Sequence, residues 1–448
     1  MTVEAISTLS SPNLTLSPAW QASFSVDGKY LAVCFGNPDT HVKIWQCCRK
    51  KNSNKRRIDN DYGDSVDNNI VVSSSNDDEE GQEDEWKLIA TIQDGSHTRS
   101  IRSVAFAPTS ISYDVVPILA TASFDGKVLI WEYCNDDNDD NDENMTKDQY
   151  DNQASSYFEA IAQLEGHDNE IKDLAWNATG SLLASCGRDK TIWVWECFLP
   201  GTIGGVESST SNDMNDDGES FECLAVLQGH DGDIKSIAFG PSHSQWGEGE
   251  EVLVSASYDN TIKVWAEEAG DWYCAMTLGE DSNYVPPSMP PSGGGIVHTS
   301  TVWCLGFAPG GVRFFSGSDD GSIAIWKLYT ATERKNSFPN EQVVSSTDGL
   351  WKCVGKLPDA HSSYAVYSID CAPTRAGHGR IASAGGDNSI NIYREESSST
   401  DAPKFSLECV AADAHDGDVN CIKWHPRDGR CLVSCGDDGA VKLWRYKG

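Results

Sequence analysis

Residues Leu164–Glu196 read LEGHDNEIKDLAWNATGSLLASCGRDKTIWVWE. Three apolar runs, IKDLAW, LLASC and TIWVW, are separated by the turn-forming stretches Asn-Ala-Thr-Gly and Arg-Asp-Lys, and their period-two alternation marks them as strands. A fourth run precedes the equivalent His of the next unit, as in ECLAVL over 222–227. Working outward, an Asp followed six residues later by an aromatic recurs as Asp39/Trp45, Asp125/Trp131, Asp189/Trp195, Asp259/Trp265, Asp320/Trp326, Asp387/Tyr393 and Asp438/Trp444. Ahead of six of these, at the end of an apolar stretch, stand His97, His167, His230, His298, His361 and His415. Four short antiparallel strands repeated seven times predict an all-β, seven-bladed β-propeller formed as a single domain over 1–448. Successive Asp residues lie 51 to 86 positions apart, against ~40–45 for a plain blade, so the excess is loop.

A His in the loop leading to the innermost strand, an Asp in the next hairpin turn and a Trp on the third strand can share buried hydrogen bonds, each offsetting the others' desolvation. Repetition in every unit is what a folding device requires, and no Ser or Cys nucleophile recurs beside the pair, so the motif is read as scaffold rather than as a catalytic His-Asp set. The chain stops at Trp444-Arg-Tyr-Lys-Gly, just after a third strand. The missing outer strand of that blade is expected from the N-terminal segment Val3–Leu9, which would join the ends and protect an edge.

Lys and Arg number 34 against 68 Asp and Glu, a formal charge of −34. Such a field excludes general binding to nucleic acid or anionic membranes, so any anionic ligand must meet a confined basic patch. No apolar run approaches the ~18 residues of a membrane helix, and the first basic residue is Lys29, so no positively charged secretory leader is expected. The expected location is the cytoplasm, with the nucleus as a further possibility. Fifteen cysteines without a dense, even framework read as free thiols. Neither a metal nor a cofactor is expected, since there is no CxxC and ligation of a cluster needs four converging thiolates; Cys47-Cys48 is the one pair placed in a loop.

Much of the charge falls in three acidic inserts expected to be disordered, 46–86, 132–159 and 196–222, with net charges of −5, −9 and −7. Runs such as CNDDNDDNDEN over 134–144 cannot bury enough apolar area to order themselves. Within the first, RKKNSNKRR over 49–57 is read as a solvated charge cluster, the alternatives being a nuclear import signal or a weak acid-binding arm. The stretch 279–297, containing PPSMPPSGGG, is expected to be a Pro/Gly-rich loop overhanging the face that carries the His and Asp turns.

That face is where the ring is expected to act. Five residues after each His, at the start of the inner strand, stand Arg102, Lys172, Lys235 and Trp303, then Tyr367 in a looser sixth unit and Asn420, with Trp20 equivalent in the first. Just before each turn Asp stand Pro38, Phe124, Arg188, Tyr258, Asp319, Gly386 and Asp437. Arg102, Lys172, Lys235 and Arg188, beside Phe124, Tyr258 and Trp303, are the expected partner-binding patch: cations for a carboxylate and rings for an apolar or aromatic side chain. Arg188 leads, because a guanidinium pairs two ways with a carboxylate.

GHDNE followed by GRDKTIWVWE, then SASYDNTIKVW, STVWCLGFAP with SGSDDGSIAIW, and AHDGDVNCIKWHP with SCGDDGAVKLW, resemble the WD-repeat family of cytosolic iron-sulfur protein assembly, over all seven units from Trp20 to Tyr446. The resemblance implies a non-enzymatic scaffold of the targeting complex that delivers clusters to cytosolic and nuclear apoproteins. It also implies as partners a small cluster-transfer subunit, a helical-repeat subunit, a hydrogenase-like iron-sulfur carrier and the apo clients, and it matches Arg188 to the family's top-face arginine. Some animal members carry Leu-Tyr-Arg after the fourth unit's third strand, where this chain reads Val264-Trp265-Ala266. The alternative is another WD-repeat adaptor, such as a ubiquitin-ligase substrate receptor or a chromatin reader, since propellers host many roles.

Overall fold

The computed structural model describes residues 2–10, 17–48, 85–108, 117–134, 157–198, 221–241, 251–279, 297–339, 342–345, 348–373, 379–396 and 401–447. Among them, seven four-stranded antiparallel sheets form the blades of a β-propeller. Blade 1 runs from Ala19 to Ile92, blade 2 from Ile101 to Glu165, blade 3 from Ile171 to Gln228 and blade 4 from Ile234 to Leu278. Blade 5 runs from Val302 to Leu357 and blade 6 from Val366 to Ala411. Blade 7 takes three strands from Val419–Lys447 and its outer strand from Thr2–Ser10.

The ring closes as expected, and the N-terminal strand is slightly longer than Val3–Leu9. Thr2 lies opposite Lys447, Val3 opposite Tyr446 and Ala5 opposite Trp444. Val3 joins Tyr446 in the apolar cluster between blades 6 and 7, while Ile6 and Leu9 pack on the cluster between blades 7 and 1. One strand thus feeds apolar groups to both faces of the closing blade.

The second strands are buried along all of their length, as in Tyr30–Phe35 and Val252–Ser257, or along all but a half-buried first residue, as in Arg313–Ser318, rather than alternately. Both faces of each blade pack on a neighbour, so no solvent face remains to hold polar residues. Outer strands differ, leaving Leu224, Val226 and Leu407 exposed. Among the described residues one helix, Ala331–Ser337, follows the third strand of blade 5 behind a capping box of Thr330 and Glu333.

Strand pairing claims the ends of the expected inserts. Gln46, Cys47 and Cys48 pair with Lys87, Trp86 and Glu85, so Cys47-Cys48 sits on a strand rather than in a loop. Glu132 and Tyr133 pair with Glu159 and Phe158, and Glu196 and Cys197 pair with Glu222 and Phe221. Backbone ladders hold these charged ends because each strand needs only one buried neighbour. The remainder of the inserts, the basic run at 49–57 and positions 280–296 of the Pro/Gly-rich loop lie outside the described residues.

Candidate functional site at the channel mouth

The His, Asp and Trp residues meet through a fourth member, and it corrects the expectation that no Ser recurs beside the His-Asp pair. A Ser or Thr hydroxyl stands there in blades 2 to 7, held between the His and, in five of them, the Trp. In blades 2 to 7 the His Nδ1 lies 2.7 to 3.5 Å from its turn Asp, in the pairs His97–Asp125, His167–Asp189, His230–Asp259, His298–Asp320, His361–Asp387 and His415–Asp438. The His Nε2 lies 2.6 to 2.9 Å from a second-strand hydroxyl, on Thr121, Ser185, Ser255, Ser316, Ser383 and Ser434. Trp131, Trp195, Trp265, Trp326 and Trp444 donate their indole N–H to the same hydroxyls at 2.7 to 3.2 Å. An indole N–H can only donate, so the hydroxyl proton goes to Nε2 and the Nδ1–H goes to the carboxylate. Tyr393 departs from this pattern: its hydroxyl donates to the Ala360 carbonyl instead. Blade 1 has Val33 at the hydroxyl position, and Asp39 accepts from Gln93.

Each turn Asp also accepts the backbone N–H two residues on, from Lys127, Thr191, Thr261, Ser322, Ser389 and Ala440. The residue between is left-handed in every case, at Gly126, Lys190, Asn260, Gly321, Asn388 and Gly439, the conformation for which Gly and Asn are favoured. These carboxyls titrate below the ordinary range: burial opposes their charge, but the His hydrogen bond and the backbone donors outweigh it. A depressed carboxyl stabilises the fold above its unfolded value of 3.8 and loses that contribution as pH falls. His298, which burial lowers from 6.5, adds the same sign from a higher pH, because the unfolded chain binds its proton first. The thermal midpoint is therefore expected to sag slightly below pH 6.5 and drop steeply below pH 3.8. A calorimetric midpoint that stays level from pH 5 to pH 2.5 would contradict this.

Trp20, Arg102, Lys172, Lys235, Trp303, Tyr367 and Asn420 all line one central cavity of about 310 Å³. Arg102 lies 4.8 Å from the Trp20 ring, Lys172 4.0 Å from Phe124, and Lys235 5.0 Å from Trp303 and 5.5 Å from Tyr258. Every expected aromatic thus sits beside a cation. Burial lowers the Lys172 pKa, and Lys235 and Arg102 lower it further by repulsion, so the three charges share one field.

Arg188 joins them through an acid that the sequence reading did not weigh. Glu170 accepts from Lys172 Nζ and Arg99 Nη2, both at 2.7 Å, and Arg188 Nη1 stands 3.7 Å away. Burial works against the charge of Glu170, yet those two donors hold its carboxyl at about 2. Lys235 is likewise 3.3 Å from Asp233. Arg99, which also donates to the Phe124 carbonyl and lies 5.8 Å from its ring, extends the patch. The signal was present: Glu170 and Asp233 stand three residues after their His and two before their Lys.

The patch is also one-sided. Across the mouth, Asp319 accepts from Ser300, Asp437 from Asn420, and Asp418 is hydrogen-bonded to Tyr367. Burial first, and then the neighbouring Asp437, raises the pKa of Asp418.

Below the mouth, the next residue of each inner strand forms a girdle that sequence reasoning missed. Gln21 accepts Val104 N–H at 2.8 Å, Ser103 accepts Leu174 N–H at 3.0 Å, and Asp173 accepts Ile237 N–H at 3.1 Å. Ser368 accepts Ile422 N–H at 3.1 Å and Cys421 accepts Ala22 N–H at 3.4 Å. Each bond crosses from one blade to the next. Among the described residues no group of three or more His, Cys, Asp or Glu is placed to hold a metal ion, and no helix is long and apolar enough to cross a membrane.

Seven four-stranded blades, six with the His–Asp pair and five of those completed by a Trp, define a WD-repeat β-propeller, a fold that typically serves as a non-catalytic scaffold. The family model described as "WD domain, G-beta repeat" matches residues 86–132, 158–196, 221–266, 296–327 and 407–445. Curated relatives named "Probable cytosolic iron-sulfur protein assembly protein 1" align over most of both chains. The one from Debaryomyces hansenii is 33% identical over 391 residues, 80% of this chain and 87% of its own. The Candida albicans protein is 33% identical, covering 81% and 88%, and the Meyerozyma guilliermondii protein 35%, covering 79% and 87%. The chain belongs to the cytosolic iron-sulfur protein assembly protein 1 family.

Proposed function

We propose that this protein is a non-catalytic scaffold of cytosolic iron-sulfur protein assembly that helps deliver clusters to cytosolic and nuclear apoproteins. The observation that carries the reading is the convergence of Arg102, Lys172, Arg188 and Lys235 with Phe124, Tyr258 and Trp303 at the mouth of an otherwise acidic ring. The names of the relatives supply the process. A partner segment bearing a carboxylate beside an apolar or aromatic side chain docks there, its carboxylate competing with Glu170 for the guanidinium groups. The cluster is cargo. Holding a small cluster-transfer subunit, a helical-repeat subunit and a hydrogenase-like carrier near an apo client makes transfer effectively intramolecular.

Arg188 is half exposed, with its side chain at 55%, so Arg188→Glu is expected to leave the thermal midpoint nearly unchanged. It should reduce recovery of those partners from native cells about tenfold, the worth of a lost charge-assisted bond. Full recovery would remove Arg188 from the site. Recovery of ubiquitin-ligase or chromatin components in their place would favour another adaptor role.

A further inference from the structure

We propose that Cys421 and Cys435 are a modification site: a thiol couple that a peroxide-class oxidant converts into a cross-strand disulfide at the seam where the two ends of the ring meet. Cys421 is on the inner strand of blade 7, Val419–Trp424, and Cys435 on the second, Cys431–Gly436; they are direct partners in the antiparallel register. Opposed residues project to the same face with Cα atoms about 4.5–5.5 Å apart, inside the roughly 4.4–6.8 Å that a disulfide spans. Both thiols lie in the apolar cluster shared with Ala19, Ala22, Leu31 and Val33 of blade 1.

Cys421 is set apart from the other buried thiols. It and Cys304 both line the central cavity, which gives a small oxidant a route to either, but the Cys421 sulfur alone of the two accepts a backbone N–H across the seam, that of Ala22. The Cys435 thiol also hydrogen-bonds to it, and with Lys423 nearby this lowers the Cys421 pKa against the effect of burial. Burial pushes Cys34 and Cys304 up to about 12 and Cys186 well up. Cys421 is therefore the attacking sulfur and Cys435 the resolving one.

The Cys421 thiolate attacks one oxygen of hydrogen peroxide; the O–O bond breaks and hydroxide leaves, taking up a proton as water. The resulting sulfenic acid is attacked by the Cys435 sulfur, its S–O bond breaks, and a second water leaves with the remaining proton. Two thiols and one peroxide give one disulfide and two waters, the thiols losing two electrons. A disulfide sulfur is a poorer acceptor than a thiolate, so oxidation weakens the girdle bond to Ala22, the one that crosses from the last blade to the first.

The test uses the full-length protein, reduced, titrated with hydrogen peroxide, alkylated after unfolding, and mapped by mass spectrometry. The expected first product is one intramolecular Cys421–Cys435 disulfide, two of fifteen thiols lost, fully restored by dithiothreitol. In Cys435→Ser, Cys421 should be trapped by dimedone as the sulfenic acid. A wild-type protein in which Cys48 or Cys223 is consumed while Cys421 and Cys435 remain alkylatable overturns the proposal without any variant having to fold.

Discussion

Deleting residues 1–10 is expected to lower the thermal midpoint of the whole ring, not of one blade. The deletion strips Val3 from the cluster holding Trp444 and Tyr446, and Ile6 and Leu9 from the cluster shared with blade 1. It also removes the backbone ladder that pairs Thr2 through Ser10 with Lys447 through Val441. At ~1 kcal/mol for each net hydrogen bond, plus the lost apolar burial, the cost is on the order of 5 kcal/mol. That is a large share of the stability of an ordinary protein. Every blade leans on two neighbours, so loosening one seam should bring a midpoint roughly 10 °C lower in a still-cooperative transition. Calorimetry that finds the truncated protein melting like the parent would refute the closure as an energetic device, although the strand would still be there.

Asp173→Ala is expected to be nearly as damaging, although the residue lies in neither the His-to-Trp units nor the basic patch. Its carboxylate accepts from Gln21 Nε2 at 2.9 Å, Ser103 Oγ at 3.1 Å, Leu174 N at 3.0 Å, Ser236 Oγ at 2.9 Å and Ile237 N at 3.1 Å. These donors come from four successive blades, and Asp173 itself is buried. Removing the carboxylate strands several donors away from water, a loss of about 3–5 kcal/mol. Asp173→Asn should fall between, since one oxygen still accepts while its amide faces donors. Urea midpoints for the two variants check the order, and a loss under about 1 kcal/mol for the alanine would show that the girdle is decorative.

The contrast between those two features shows what the chain discloses before it folds. The blade count, the closing strand and the seven mouth positions were readable because an Asp and an aromatic recur at constant spacing and every other position can be counted from them. The girdle was not, because its members are Gln21, Ser103, Asp173, Ser236, Cys304, Ser368 and Cys421. They are chemically unlike and separated by 53 residues or more, and only ring geometry makes them a set. The hydroxyls of Thr121 and Ser185 were passed over because Ser and Thr are common in strands, although they stand four residues before their turn Asp and ten before their Trp, as Ser255, Ser316, Ser383 and Ser434 do before their own Asp and aromatic. At the mouth, reading cations alone hid Glu170 and Asp418 and left the named Asp319 and Asp437 without a role, since charge seen one sign at a time has no direction.

That direction has a physical outcome. A rim that is basic over blades 2 to 4 and acidic over blades 5 to 7 acts as an electric compass: a segment with unlike charges at its two ends is turned before it touches, and one that arrives reversed is pushed back. Because free charges are screened beyond ~8 Å at physiological ionic strength, this steering operates only at close range, where it sorts orientations rather than gathering molecules from a distance.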